Sequence, residues 1–185
     1  MAASECRPDR IRWMSVNNAM TRDVICVRAS MSVKEAWLTL MEARISGAPV
    51  VDEGGALMGI LSVTDIFQAI MERFQKARSL REATSSLLDA ADAEKDELRE
   101  LSLAIRAASE MPVGAIMPRD RKPLTLSPED SFERAIRIMA EHGVNRLPVV
   151  RGSQVVGILT RQDVIWQLGG RPGKGGMGKT GSRSR

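Results

Sequence analysis

The chain has 185 residues, 43% hydrophobic and 27% charged, which suits one ordinary globular domain or two small packed ones. No run approaches the ~18 continuous apolar residues of a membrane span, and Met1 to Arg12 hold no apolar segment of a secretory signal. The formal charge of +4 is localised: Gly169–Arg185 hold five Lys and Arg and no acid, so the remainder carries −1, and aromatics at 3% leave few platforms for single-stranded nucleic acid.

In chain order, residues 1–11 read as a polar arm and Arg12–Met20 as a short helix with Trp13 and Val16 inward. Val24-Ile25-Cys26-Val27 reads as a strand. Ser32 with Glu35 makes a capping box, and Val33, Ala36, Trp37, Leu40 and Met41 keep helical spacing. Ala48–Val51 and Leu57–Leu61 are strands around the turn Asp52–Gly55, and a helix begins at about Thr64. Residues 66–110 read as one long helix or a helical hairpin, with a restart at the capping box Ser79–Glu82. Leu87, Ala91, Glu94, Leu98, Leu101, Ile105 and Ala108 form a heptad-like stripe, suited either to packing on the chain's own domain or to association. Leu124–Leu126 is the next strand, and a helix starts at Ser127–Asp130 with Phe132, Ala135, Ile136, Met139 and Ala140 inward. His142-Gly143 ends it, glycine supplying the left-handed residue. Leu147–Val150, Val155–Leu159 and a helix over Arg161–Leu168 complete the chain before a glycine-rich basic tail.

The order strand, helix, strand, strand, helix occurs twice, and the sequence repeats with it. Gly59-Ile60-Leu61-Ser62-Val63-Thr64-Asp65 is echoed by Gly157-Ile158-Leu159-Thr160-Arg161-Gln162-Asp163. Ala48-Pro49-Val50-Val51 is answered by Leu147-Pro148-Val149-Val150, and Ala19-Met20-Thr21-Arg22-Asp23 by Ile116-Met117-Pro118-Arg119-Asp120. In this duplicated order the chain resembles the cystathionine-β-synthase-type, or CBS, domain pair over about residues 14–72 and 112–168. The expected fold is α/β (α+β): two β-α-β-β-α repeats packed around a pseudo-twofold axis, with a long helical insert. The boundaries are an arm 1–13, repeat one 14–72, insert 73–111, repeat two 112–168 and tail 169–185.

Ser62…Asp65 and Thr160…Asp163 are capping boxes on their own chemistry. The same residues stand where a strand meets a helix N-terminus, which favours a nearby phosphate. An aspartate can also accept from two adjacent ribose hydroxyls. The resemblance implies adenosine-containing ligands, AMP, ADP or ATP with S-adenosylmethionine as a further candidate, in two clefts. It gives Asp65 and Asp163 the ribose, and Ser62 and Thr160 the sugar-phosphate side. It groups Thr160 and Asp163 with Met20, Ile25, Ile45 and Ser46, and Ser62 and Asp65 with Leu124, Val144, Asn145 and Arg146. Backbone at Ile25 and Leu124 would meet adenine, with Ile45 and Val144 as apolar walls, although these aliphatics also suit a plain core. Arg146, where the first repeat has Gly47, offers a planar fork for phosphate. The Asp65 cleft is therefore expected to prefer charged nucleotides.

Gly173–Thr180 matches the P-loop pattern, but no strand precedes it and only five polar residues follow. A basic tail touching an acidic partner or nucleic acid nonspecifically is the better reading. One His, and Cys6 and Cys26 far apart, provide neither a catalytic arrangement nor metal-ligand spacing. His142 at a helix end suits a dipole partner. The expectation is a non-catalytic, cytoplasmic regulatory homodimer that signals to an effector in trans. The alternative is a ligand-free dimerising scaffold whose insert mediates association.

Overall fold

A computed structural model describes residues 14–84, 93–117 and 122–169. Its helices are α1 (Val16–Ala19), α2 (Val33–Glu42), α3 (Val63–Thr84), α4 (Ala93–Ser109), α5 (Val113–Ile116), α6 (Phe132–His142) and α7 (Arg161–Gly169). The strands are β1 (Val27–Arg28), β2 (Gly47–Val51), β3 (Leu57–Ser62), β4 (Arg146–Arg151) and β5 (Gln154–Thr160). The chain divides into two compact units. Unit 1 takes the described residues up to Arg22, Thr125–Val149 and those from Val156; unit 2 takes Asp23–Leu124 and Val150–Val155.

In unit 2, β1 runs parallel to β2 (Val27 opposite Val50), and β2 pairs antiparallel with β3 from Gly47↔Ser62 to Val51↔Leu57. Every β2 residue is buried, so its apolar run Ala48–Val51 serves both faces. Val33, Ala36 and Leu40 of α2 close the core with Val27, Val50, Leu61, Ile66 and Val113. Ser32 caps α2 in a complete box: its Oγ accepts from Glu35 N–H, and Glu35 accepts from Ser32 N–H at 2.9 Å. Those donors hold the Glu35 carboxyl below its ordinary range, the backbone bond first and the hydroxyl second. α3 continues without a restart at Ser79 and packs against α4, so the insert is a helix pair tied by Arg81–Glu100 at 3.2 Å.

In unit 1, Phe132, Ala135 and Met139 bury the inner face of α6 at the spacing of Val33, Ala36 and Leu40. The sequence places the start of this helix too early. Ser131 is the cap, accepting from Arg134 N–H at 3.2 Å, while Ser127–Asp130 forms a turn in which Ser127 N–H donates to Asp130 Oδ2 at 2.8 Å. Leu126 makes a single parallel bridge to Val149, so the expected strand over 124–126 is one pair long. Likewise the first strand begins at Val27 rather than Val24, because pairing to β2 starts there. Met41 and Ala140 are exposed, lying off the buried rows of their helices.

The units do not follow the repeats. α1, which opens repeat one, packs on α6 and α7 in unit 1, whereas α5, which opens repeat two, packs on α3 in unit 2. The exchange uses matching bonds. Val16 N–H donates to Asp130 O at 2.9 Å, Asn17 N–H to Pro128 O at 3.0 Å and Phe132 N–H to Met14 O at 2.9 Å. In unit 2, Val113 N–H donates to Met31 O at 2.8 Å, Gly114 N–H to Ala29 O at 2.9 Å and Val33 N–H to Met111 O at 2.8 Å.

Of the sequence readings, the arm 1–13 with Trp13, Leu87 and Ala91 of the stripe, and the tail with its P-loop match lie outside the described residues.

Candidate functional site

Each repeat ends its last strand on a hydroxyl residue and begins a helix at the next position, Ser62 into Val63 and Thr160 into Arg161. In unit 2, Asp65 Oδ2 accepts from Ser62 N–H at 2.7 Å and from Ser62 Oγ–H at 2.6 Å, while Asp65 N–H donates back to Ser62 Oγ at 3.3 Å. Unit 1 reproduces this. Asp163 Oδ2 accepts from Thr160 N–H at 2.8 Å and Oγ1–H at 2.7 Å, and Asp163 N–H donates to Thr160 Oγ1 at 3.3 Å. The bland chemistry of these motifs is therefore real, since both carboxylates cap helices. It uses one oxygen of each; Oδ1 of Asp65 and of Asp163 takes no hydrogen bond among the described residues. An open carboxylate oxygen beside a helix N-terminus can still accept from a ligand hydroxyl.

The two copies differ in burial. Asp163 is 3% exposed and Asp65 half-buried. Beside Asp65, unit 2 holds a polar cavity of about 370 Å³ lined by Gln68, Glu72 and Arg73 of α3 and by Ile116 and Met117. Arg73 donates to Ala69 O at 2.8 Å and to Met111 Sδ, joining α3 to the segment before α5.

Unit 1 gathers Met20, Val144, Asn145, Arg146, Thr160 and Asp163; unit 2 gathers Ile25, Ile45, Ser46, Ser62, Asp65 and Leu124. Within unit 1, Met20 lies across Gly157, and Thr21 exchanges both backbone hydrogen bonds with Ile158 at 2.9 Å, so the segment after α1 is strapped to β5. Asn145 O accepts from Arg161 N–H at 2.9 Å at the start of α7, and Arg146, half-buried, opens β4. Within unit 2, Ser46 O accepts from Val63 N–H at 3.1 Å, the matching bond at the start of α3. Ile45 packs half-buried against the core, Leu124 is half-buried, and Ile25 is 42% exposed. Cys26, next to Ile25, is half-buried, and burial pushes its thiol pKa up, away from a reactive thiolate. Sequence reasoning named Met20 but passed over Met117, which occupies the same place on Gly59. The repeated Ala-Met-Thr-Arg-Asp and Ile-Met-Pro-Arg-Asp blocks carried that signal. The cavity residues Gln68, Glu72 and Arg73 carried none, because they lie beyond the repeated motif.

Among the described residues no group of three or more His, Cys, Asp or Glu is placed to hold a metal ion, and no helix is long and apolar enough to cross a membrane.

These duplicated strand-to-helix junctions on three- and two-stranded sheets define a tandem α+β repeat protein. The CBS domain family matches residues 16–72 and 113–170, and the chain belongs to that family, carrying two copies. It is 30% identical over 142 residues to CBSX2, a chloroplastic CBS domain-containing protein of Arabidopsis thaliana, covering 75% of this chain and 56% of that one. A 50-residue stretch is 52% identical to an inosine-5'-monophosphate dehydrogenase of Korarchaeum cryptofilum, covering 27% of this chain and 10% of the dehydrogenase. The chain thus spans about half of CBSX2 and a tenth of the dehydrogenase. The CBS domain of a CBS domain-containing membrane protein from Sphaerobacter thermophilus superposes with a TM-score of 0.63 at 27% identity, covering 86% of this chain and 91% of that one. A crystal structure of CBSX2 in complex with AMP superposes with a TM-score of 0.58 at 27% identity, covering 82% and 93%.

Proposed function

We propose that this chain is a non-catalytic regulatory module that binds an adenine nucleotide through Ser62 and Asp65 and through Thr160 and Asp163. The observation that carries the reading is the duplicated carboxylate with one oxygen used in capping and the other without a hydrogen bond among the described residues. CBSX2 binding AMP supports the ligand class. Asp65 and Asp163 take the ribose hydroxyls. Ser62, Thr160 and the helix N-termini face the sugar-phosphate, and the planar fork of Arg146 is suited to neutralise phosphate. Met20, Ile25, Ile45, Ser46, Leu124, Val144 and Asn145 complete the binding surfaces. The homodimer, the effector in trans and a cytoplasmic setting are part of the proposal. Isothermal titration with AMP, ADP, ATP and S-adenosylmethionine tests it. At least one should bind saturably, and no binding of any at millimolar concentration rejects the reading.

A second reading, a ligand-free scaffold that associates through its insert, draws on Leu80, Leu98 and Leu103, which are 69%, 64% and 58% exposed. Light scattering on protein carrying Leu98→Glu and Leu103→Glu decides it. A dimer that falls to monomer supports this role, and an unchanged mass removes it.

A further inference from the structure

α3 carries the nucleotide motif on one side and an apolar groove on another. The groove, about 540 Å³, lies where α2, α3 and α4 meet within unit 2. Ile66, 5% exposed, lines it together with Trp37 and Ile70, both half-buried, while Phe67 and Ile105 stand 60% and 46% exposed along it. Exposing an aromatic ring and an isoleucine side by side is unfavourable in water at roughly 25 cal/mol per Å² of apolar surface, so this face gains by being covered. The volume falls within the roughly 300–1,000 Å³ of small-molecule pockets.

The polar residues along the groove are Lys34, Arg106, Ser102 and Ser109, with no acid among them. Ser102 donates its hydroxyl to Leu98 O at 2.9 Å and Ser109 to Arg106 O at 2.8 Å, so both are occupied within α4. Lys34 makes no ion pair among the described residues. The Arg106 guanidinium meets Glu110 only at 3.7 Å, with both side chains at least 73% exposed, a contact that water and salt screen. The charged donors along the groove are therefore two cations beside an apolar trough.

We propose that this groove is a second ligand site for an amphipathic anion, an aliphatic or aromatic carboxylate or sulfonate. Its apolar body lies on Phe67, Ile70 and Ile105, and its charge meets Lys34 and Arg106. The site is separate from the nucleotide motif and stands whether or not that motif binds nucleotide.

The test uses the full chain with 1-anilinonaphthalene-8-sulfonate as the fluorescent probe, displaced by decanoate and, separately, by 1-decanol. The expected result is one saturable site from which decanoate displaces the probe better than decanol does. Lys34→Glu with Arg106→Glu should weaken the probe on the order of tenfold, as expected for two lost ion pairs and two new repulsions. Phe67→Ser should weaken probe and decanol alike, and Met58→Ser, an exposed apolar residue that does not line the groove, should change neither. Decanoate should raise the melting temperature, because a ligand of the folded state stabilises it. The proposal is overturned by non-saturable binding, by equal binding in the charge-reversed protein, or by a melting temperature that decanoate lowers. It is also overturned by a mass that falls on Phe67→Ser, which would show that a second copy covers the groove.

Discussion

Met20 lies across the α-carbon of Gly157, where a Cβ would overlap its sulfur and stand 3.0 Å from its Cγ. Met117 makes the corresponding contact on Gly59 with its terminal methyl. Glycine at the head of each Gly-x-x-[Ser/Thr]-x-x-Asp motif is thus a packing requirement, and each methionine comes from the block that opens the other repeat.

The two contacts predict unequal costs. At Gly157 the sulfur and its flanking carbons all lie close, so Gly157→Ala must move most of the Met20 side chain and the strap at Thr21–Ile158 with it. Overpacking of this kind costs about 1–3 kcal/mol. At Gly59 only the end of a flexible side chain must swing away, so Gly59→Ala should cost less than about 1 kcal/mol. Urea unfolding measures both. Met20→Ala introduced with Gly157→Ala should recover part of the loss, and a loss unaffected by Met20→Ala would show that the overlap is not its cause.

Arg44 adopts φ 54°, and its counterpart in the second repeat, Gly143, adopts φ 65°. Both follow the helix that leads into the central strand, where the chain reverses through the left-handed region. A non-glycine residue there carries about 1–2 kcal/mol of steric cost, partly offset by glycine's greater freedom in the unfolded chain. Arg44→Gly should therefore stabilise by about 0.5–1 kcal/mol, and Gly143→Ala should destabilise by a similar amount. Thermal denaturation of the pair checks the sign, and an Arg44→Gly protein that melts lower contradicts it.

Asp65 and Asp163 have two jobs in this account, so stability and binding must be measured together. Removing either cap costs about 0.5–2 kcal/mol, with the greater loss at Asp163 because it is 3% exposed whereas Asp65 is half-buried. Asp65→Asn and Asp163→Asn keep a capping oxygen but lose the charge. Each should lower nucleotide affinity by about tenfold or more at its own site, a hydrogen bond to a charged group being worth about 1.5–3 kcal/mol. Calorimetric titrations of both variants, together with melting curves, separate the roles. Affinity unchanged in both would remove the ribose assignment and leave capping alone.

Glu35 supplies a pH dependence whose sign follows from its cause. Ser32 N–H and Oγ–H hold its carboxyl below the ordinary glutamate value. The stabilisation is thus fully present above that ordinary value and is lost as pH falls through the lowered one. Wild type should exceed Glu35→Gln in stability at neutral pH, and the difference should shrink at about pH 3. Denaturant titrations at the two pH values read it directly. A difference that persists undiminished in acid would mean that the carboxylate's charge is not what Ser32 recognises.

The caps at Ser32, Ser62 and Thr160 were legible because a capping box is local. Donor and acceptor sit three residues apart, although the same spacing at Ser79–Glu82 lies inside α3, where the helix simply continues. The repeat was legible because Gly59–Asp65 and Gly157–Asp163 are nearly the same words. That the insert is helical was also legible, as one long helix or a hairpin, but the choice between them and the inward stripe were not. Of the stripe, Ala108 is buried while Leu98 and Ile105 stay exposed; Ala104, outside the stripe, is buried beside it, because close packing of α4 favours small residues. Nor did sequence show that α1 and α5 exchange units, or that Met20 and Met117 press on glycines 137 and 58 positions away. Sequence by itself determined the duplicated local grammar of strand, cap and helix, since those interactions are fixed by spacing along the chain. Tertiary structure alone decided which methionine meets which glycine and which carboxylate is buried. It also decided which face of the insert stays open, since each depends on packing between segments whose separation in sequence carries no record of their contact.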